Sequence, residues 1–375
     1  MTEIAQLDTD EMVLNMGPQH PSTHGVLRLE LKTDGEIVNE VRPHIGYLHR
    51  CFEKHAETLA YPQTIPFTDR LDYVASMNDN LGFCLAVERM MTVQIPPKAE
   101  HCRVLAAELN RIASHLLAFG TYGIDIGAFT PFLYAFRERE MILNFFERMC
   151  GARLTYNYVR IGGVMRDLPS DLPKEILRFL DYFEPMVDTY DELLNYNKIF
   201  VERTAGVGIL DAKTAVAYGV TGPALRAAGV DWDLRKEESY SIYPKLKFGV
   251  PVGTQGKGVL GDCWNRHMVR IAEMRESVKL CRQVLEGMPE GEWWGKVPKI
   301  IKLPVGEVYV RTENPRGELG FYIVSRGGKE PWRVKCRAPS FHNINAIEPM
   351  APGAMIADIV AMVGSLDIVL GEVDR

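Results

Sequence analysis

The chain is short of paired cysteines, of excess positive charge and of long apolar runs, and each shortage removes a class of function. Its seven cysteines (Cys51, Cys84, Cys102, Cys150, Cys263, Cys281 and Cys336) are scattered, odd in number and never spaced as C-x-x-C. That pattern argues for free thiols in a reducing compartment, and against a disulfide framework, a cysteine-bound cluster or a four-cysteine metal site. The formal net charge is −6, so the basic footprint that neutralises phosphates is missing and nucleic acid is not an expected partner. No apolar run approaches the roughly 18 residues of a membrane span, and Met1-Thr2-Glu3-Ile4-Ala5 lacks the basic and apolar regions of a signal peptide. Any membrane association is therefore expected to come through other polypeptides. Internal repeats and low-complexity linkers are absent as well.

What is present is enough apolar residue for a core. With 375 residues, 46% of them hydrophobic, the chain fills one large domain with insertions or about two domains. Its texture changes twice. Residues 11–45 alternate and carry the turn signals Thr33-Asp34-Gly35 and Arg42-Pro43, which predicts a small antiparallel sheet over 1–48. From 49 to 297 the pattern is helical. Val104, Leu105, Leu109, Ile112 and Leu116 recur at helix spacing between Pro96-Pro97 and Gly120, which predicts a helix over 101–120 with Gly120 as its stop. Residues 132–150, 173–200 and 262–285 repeat the logic, so a helical bundle is the expected centre. After Pro298 strand-like segments return at 306–311, 320–324 and 332–336, giving a C-terminal α/β region over 298–375. The fold class expected is α+β, one integrated unit.

Gly256-Lys257-Gly258-Val259-Leu260-Gly261 matches G-x-G-x-x-G and precedes a helix. A dinucleotide fingerprint also needs a buried strand before it and a ribose-binding acid about 20 residues on. Here Pro244 and Pro251 break the preceding stretch, and about 20 residues later the chain is still within one helical pattern. A plain loop is the better reading.

Three positions invite chemistry. Residues 17–25, Gly17-Pro18-Gln19-His20-Pro21-Ser22-Thr23-His24-Gly25, put two imidazoles in a segment that glycine and proline keep from being a helix, between two strand-like runs. His20 and His24 stand four apart, but Pro21 destroys the helix that would make them joint metal ligands, and a bland surface turn suits the pattern equally well. Tyr73, in Asp69-Arg70-Leu71-Asp72-Tyr73, reads either as a site residue or as a core-capping phenol. Asp125, between apolar residues and glycines, is costly to bury without a partner, and a histidine would serve.

Six stretches together carry a resemblance. They are Leu-Asn-Met-Gly-Pro-Gln-His-Pro-Ser-Thr-His-Gly-Val-Leu-Arg (14–28), Pro-His-Ile-Gly-Tyr-Leu-His-Arg (43–50), Asp-Arg-Leu-Asp-Tyr (69–73), Glu-Leu-Asn-Arg-Ile-Ala-Ser-His-Leu (108–116), Asp-Ile-Gly-Ala-Phe-Thr-Pro-Phe (125–132) and Gly-Glu-Val-Asp-Arg (371–375). In this order, from end to end, the chain resembles the D-type subunit family of proton-pumping NADH:quinone oxidoreductase, respiratory complex I. The resemblance implies a fold related to the large subunit of nickel-iron hydrogenases. That relative holds metal with two C-x-x-C pairs, whereas the aligned positions here are Asp72 and Ala75, and Asp367 and Leu370. It further implies that His24 and Tyr73 hydrogen-bond the two carbonyl oxygens of a quinone, the substrate, and that Asp125 interacts with the histidine.

No metal, cluster or nucleotide is expected on this chain. By the resemblance, NADH, FMN and iron-sulfur clusters belong to partner subunits. The B, C and H subunits of complex I are the implied neighbours, at the cytoplasmic side of a bacterial inner membrane. Arg50 aligns with a position that can be methylated in the family, but Cys51 replaces the glycine usual beside it, which argues against modification here. Three other readings belong beside this one: a metal-containing hydrogenase-like large subunit, which the missing cysteine pairs oppose; a non-catalytic assembly scaffold, favoured only if His24, Tyr73 and Asp125 are dispensable; and a plastoquinone-reducing relative.

Overall fold

The computed structural model describes residues 11–19 and 23–375, so His20 lies outside them. Strands β1 (Met12–Met16), β2 (Arg28–Asp34) and β3 (Ile37–His44) form an antiparallel sheet in the order β1-β2-β3, with Met16 opposite Leu29 and Leu31 opposite Val41. Alternation decides its faces: Leu29 and Leu31 with Val38 and Val41 point into the core, and the intervening residues stay partly wet. The segment after Met16 is thus the connection of a hairpin in which β2 is pinned by its buried face and β1 rests on the core through the half-buried Leu14 and Met16.

Five long helices follow: α1 (Ser76–Met91), α2 (Pro97–Asp125), α3 (Thr130–Cys150), α4 (Leu172–Tyr190) and α5 (Cys263–Glu286). The central one is α2, which packs on α1, α3 and α5. It is longer than its sequence signals suggest. It starts directly on Pro97, whose missing N–H is no loss at a first turn, and it runs through Gly120 to Asp125. Gly120 does not stop the helix: a Cβ there would stand 3.1 Å from the Cα of Phe132, so glycine is what lets α3 approach. The helix expected over 173–200 is also different. It ends at Tyr190, passes through a π-helical turn (Asp191–Asn195), and resumes at Lys198 where Asn197 caps the new start by accepting from the Ile199 N–H.

The polar residues of α2 explain how so long a helix is held. Arg103, Glu108, Asn110, Arg111, Ser114 and His115 are all fully buried. Glu108 accepts from Tyr243 (2.6 Å), Ser277 (2.7 Å) and Arg235 (3.1 Å), and it lies beside Arg111. Burial would raise this carboxyl, but Arg111 and Arg235 outweigh burial and hold it below the usual range. Glu273 on α5 bonds His115 (2.8 Å) and Arg226 (2.6 Å), and Arg226 reaches Glu313 at 2.8 Å. These contacts tie α2 and α5 to the segment 223–235.

The C-terminal sheet pairs β4 (Val305–Asn314), β5 (Gly317–Arg326) and β6 (Arg333–Arg337) in antiparallel order. Asn314 lies opposite Gly317, so Pro315-Arg316 form a two-residue turn. That turn is buried rather than exposed, and it delivers the Arg316 guanidinium into the interior. Only glycine fits at 317, where φ is +134° and a Cβ would stand 2.5 Å from Thr221 Oγ1. Helices α6 (Pro339–Asn345), α7 (Ile356–Leu366) and α8 (Leu370–Asp374) finish the chain, with α7 packed on both α2 and α5. The whole is a mixed α+β fold with sheets at both ends of the sequence, as expected. Among the described residues no helix is long and apolar enough to cross a membrane.

Breaking a buried ion network by deleting one partner leaves an unpaired charge and costs about 3–5 kcal/mol. Arg226→Met is therefore expected to lower the thermal midpoint of the purified assembly that contains this chain, or to prevent its recovery. An unchanged midpoint would refute a load-sharing role for Arg226.

Candidate functional site

The loop after β1 is shaped by its own side chains. Thr23 is buried; its hydroxyl donates to the Gln19 carbonyl at 3.0 Å and accepts from the Gln19 N–H at 2.9 Å. Gly17, at φ +82°, packs so tightly that a Cβ would meet Thr23 Oγ1 at 2.6 Å. His24 follows in the left-handed region, at φ +50°, a conformation that side chains other than glycine adopt only when the surroundings hold them there.

The partner of His24 is Asp125, the last residue of α2. His24 Nε2 lies 2.9 Å from Asp125 Oδ2, with the histidine side chain 14% exposed and the carboxylate fully buried. Asp125 Oδ1 is buried and bonds no described residue. The carboxylate is also wedged against α7: a Cβ on Gly364 would stand 2.7 Å from Asp125 Oδ2 and 2.7 Å from the Tyr122 ring. With Nε2 engaged on Asp125, Nδ1 is the ring nitrogen of His24 that remains for a ligand.

Tyr73 stands elsewhere in the same region. Its hydroxyl bonds no described residue, while its ring lies on the C-terminal helix: a Cβ on Gly371 would come 3.1 Å from Tyr73 Cδ1. Burial pushes the phenol above its ordinary range, and nearby Arg316 opposes that rise without cancelling it. No hydrogen bond links Tyr73 to the His24–Asp125 pair among the described residues; Arg316 links segments next to each. Arg316 Nη1 donates to Asp72 at 2.8 Å and to Ser114 Oγ at 2.9 Å, and Nη2 to Asp367 at 3.1 Å. Asp72 precedes Tyr73, and Asp367 caps α7 three residues after the Gly364 that abuts Asp125, roughly one helical turn away. One guanidinium thus ties the segment bearing Tyr73 to the end of α7, the helix against which Asp125 packs.

Sequence reasoning aligned Asp72 and Asp367 with the cysteine pairs of a metal-binding relative, and the fold brings those two positions onto one arginine. A guanidinium between two carboxylates leaves no thiolate set for a nickel centre; the seven free cysteines lie at other positions, and among the described residues no three His, Cys, Asp or Glu side chains converge as a metal-holding group. Arg316 itself was missed. Its only sequence signal is Asn314-Pro315-Arg316-Gly317, which reads as an exposed hairpin turn. The G-x-G-x-x-G stretch is a loop with no strand before it: Gly256 packs under Trp264, and Asp262 caps α5 by accepting from the Asn265 N–H at 2.7 Å.

Against known proteins, the family model for the respiratory-chain NADH dehydrogenase 49 Kd subunit matches residues 125–302 and 295–375. The chain is 54% identical over 373 residues to the D subunit of NADH-quinone oxidoreductase from Chlorobium luteolum, covering 98% of this chain and 94% of that one. It is 53% identical to the same subunit from Chlorobaculum tepidum and 52% to that from Prosthecochloris aestuarii, each covering 98% of this chain and 93% of the relative. The chain therefore belongs to the family of the 49 kDa, D-type subunit of NADH-quinone oxidoreductase, as one subunit of an oxidoreductase complex.

Proposed function

We propose that this chain forms the head-group end of a quinone-reduction site, with His24 and Tyr73 as the proton donors to the two quinone oxygens and Asp125 as the group that orients His24. The single observation that carries the reading is the pair at 2.9 Å between a buried carboxylate and a partly exposed imidazole whose other nitrogen bonds no described residue. A phenol with no partner among the described residues, on a segment that Arg316 ties to the helix Asp125 abuts, adds to it.

The chemistry follows from charge. Reducing a quinone to a quinol takes two electrons and two protons, and the reduced oxygens are strongly basic, so a phenol of ordinary pKa about 10 serves as a donor. Burial keeps Tyr73 protonated over the physiological range, so it offers an O–H to a carbonyl oxygen before reduction and yields the proton afterwards. His24 donates from Nδ1 when the ring is an imidazolium; having donated, it keeps Nε2–H on Asp125. Asp125 is an orienter and a charge partner, and it needs no proton of its own. The electrons come from an iron-sulfur centre in a neighbouring polypeptide, the B subunit of complex I, with the C and H subunits as further neighbours and the assembly on the cytoplasmic side of the bacterial membrane.

Tyr73→Phe removes one donor and is expected to slow quinone reduction by about 10²-fold in the fully assembled complex. A full rate in that variant would refute the assignment. Gly364→Ala tests the second half without touching either donor: the new methyl group must displace the Asp125 carboxylate. Quinone reduction is expected to drop while electron transfer to an artificial acceptor upstream of the quinone is unaffected. Equal retention of both activities would show that the His24–Asp125 contact is dispensable.

A further inference from the structure

One buried acid has no part in that scheme. Glu372 lies in α8 and is fully buried. Its Oε1 accepts from the Ser340 N–H of α6 at 3.0 Å, and its Oε2 is buried with no partner. Three more buried carboxylates, Asp72, Asp79 and Asp367, share its surroundings. The compensating cations are Arg316, bonded to Asp72 and Asp367, and Arg270, whose Nε is 3.7 Å from the other Asp367 oxygen. Neither Asp79 nor Glu372 has an ion-pair partner among the described residues. Two guanidiniums against these four carboxylates, with buried Asp69 adding a fifth beside Asp79, leave negative charge that a dry interior does not tolerate, so protons are held there.

The two unpaired acids differ. Both oxygens of Asp79 are occupied by N–H donors, from Asp72 at 2.7 Å and Asn314 at 3.0 Å. Glu372 is engaged only by Ser340, and its Oε2 bonds no other described residue. The other titratable groups nearby do not supply a counterion. Asp374 on the same helix is bonded to the N–H groups of Gly46 and Leu48, Arg375 stacks over Phe341, and Cys336 of β6 is a thiol that burial pushes well up. Burial, then the charge of Asp72, pushes Glu372 up to about 8. The position relative to Tyr73 is what gives this a use. The Tyr73 ring rests on Gly371, the peptide leading into Glu372, and the Glu372 charge is felt at the phenol.

We infer that Glu372 is a proton store that reloads Tyr73 after each quinone reduction. This rests on the quinone reading above. The O–H bond of Tyr73 breaks and its proton goes to a reduced quinone oxygen, the two electrons having come from the partner's iron-sulfur donor. The Oε2–H proton of Glu372 then passes to the phenolate, and Glu372 is refilled from solvent. No electron resides on this chain at any step.

The test is Glu372→Gln in the assembled complex, which keeps an acceptor for the Ser340 N–H and removes the stored proton. The store is full below about pH 8 and empties above it, so native kcat for quinone reduction is expected to fall as pH rises through that value. In the variant, kcat at about pH 7 is expected to be about tenfold lower and flat from about pH 7 to 9, with KM for quinone unchanged. A native rate, or a lower rate that keeps the native alkaline limb, overturns the inference. If the variant does not assemble, infrared titration of the native complex decides: a carboxylic-acid band with a midpoint near pH 8 supports the store, and no band titrating between about pH 7 and 9 overturns it. The two proposals separate cleanly. A full rate in Tyr73→Phe defeats the quinone reading, whereas a slow Tyr73→Phe beside a native-like Glu372→Gln retires the store alone.

Discussion

The arrangement turns on one buried guanidinium. Arg316 is carried into the interior on a hairpin tip, and it binds Asp72 and Asp367 at 2.8 and 3.1 Å. Those two carboxylates belong to segments near opposite ends of the chain. Without the arginine they would repel each other, and the turn bearing Tyr73 would have no reason to sit beside α7. With it, the segment bearing Tyr73 is tied to the end of α7, the helix that Asp125 abuts. A five-donor planar cation suits this bridging role in a way that a lysine would not.

Polar burial is the theme of the molecule beyond that point. The α2 helix spends its central turns on Glu108, Arg111 and His115, all inside, and a hydrophobic replacement of the whole network could be as stable or more so. What the charges contribute is position: each fixes a direction and a register between helices that close-packed aliphatic side chains would leave freer. A site that must offer protons to a substrate at fixed spacing benefits from such rigidity. The cost shows as buried atoms left without partners, among them Asp125 Oδ1, Glu372 Oε2 and Arg316 Nε. The first two belong to groups for which a proton or a charge partner is central to the proposed chemistry.

Much of the fold was legible in the sequence because it rests on local signals. Alternation over 11–45 marked the first sheet, and helical spacing over 262–285 marked α5. The errors lay where glycine and polar residues were read as punctuation. Gly120 was expected to end α2, but it is there for close packing against Phe132, a reason that only the neighbouring helix reveals. The polar run 108–115 offers no local hint that both signs of charge will be buried together, because the partners Arg235, Glu273 and Glu313 come from distant stretches of the chain. At the site, the expected partnership of Asp125 with a histidine is present. Arg316 stayed hidden because a turn residue with a long charged side chain is ordinarily at the surface.

The central claim is that a quinone head group is held between the imidazole of His24 and the phenol of Tyr73. A structure of the assembled complex with a bound quinone analogue measures this most directly. The prediction is that one ring oxygen lies within about 2.6–3.2 Å of Tyr73 Oη and the other within the same range of His24 Nδ1. A head group seated with neither side chain in reach, and with the His24–Asp125 pair facing only protein, would contradict it.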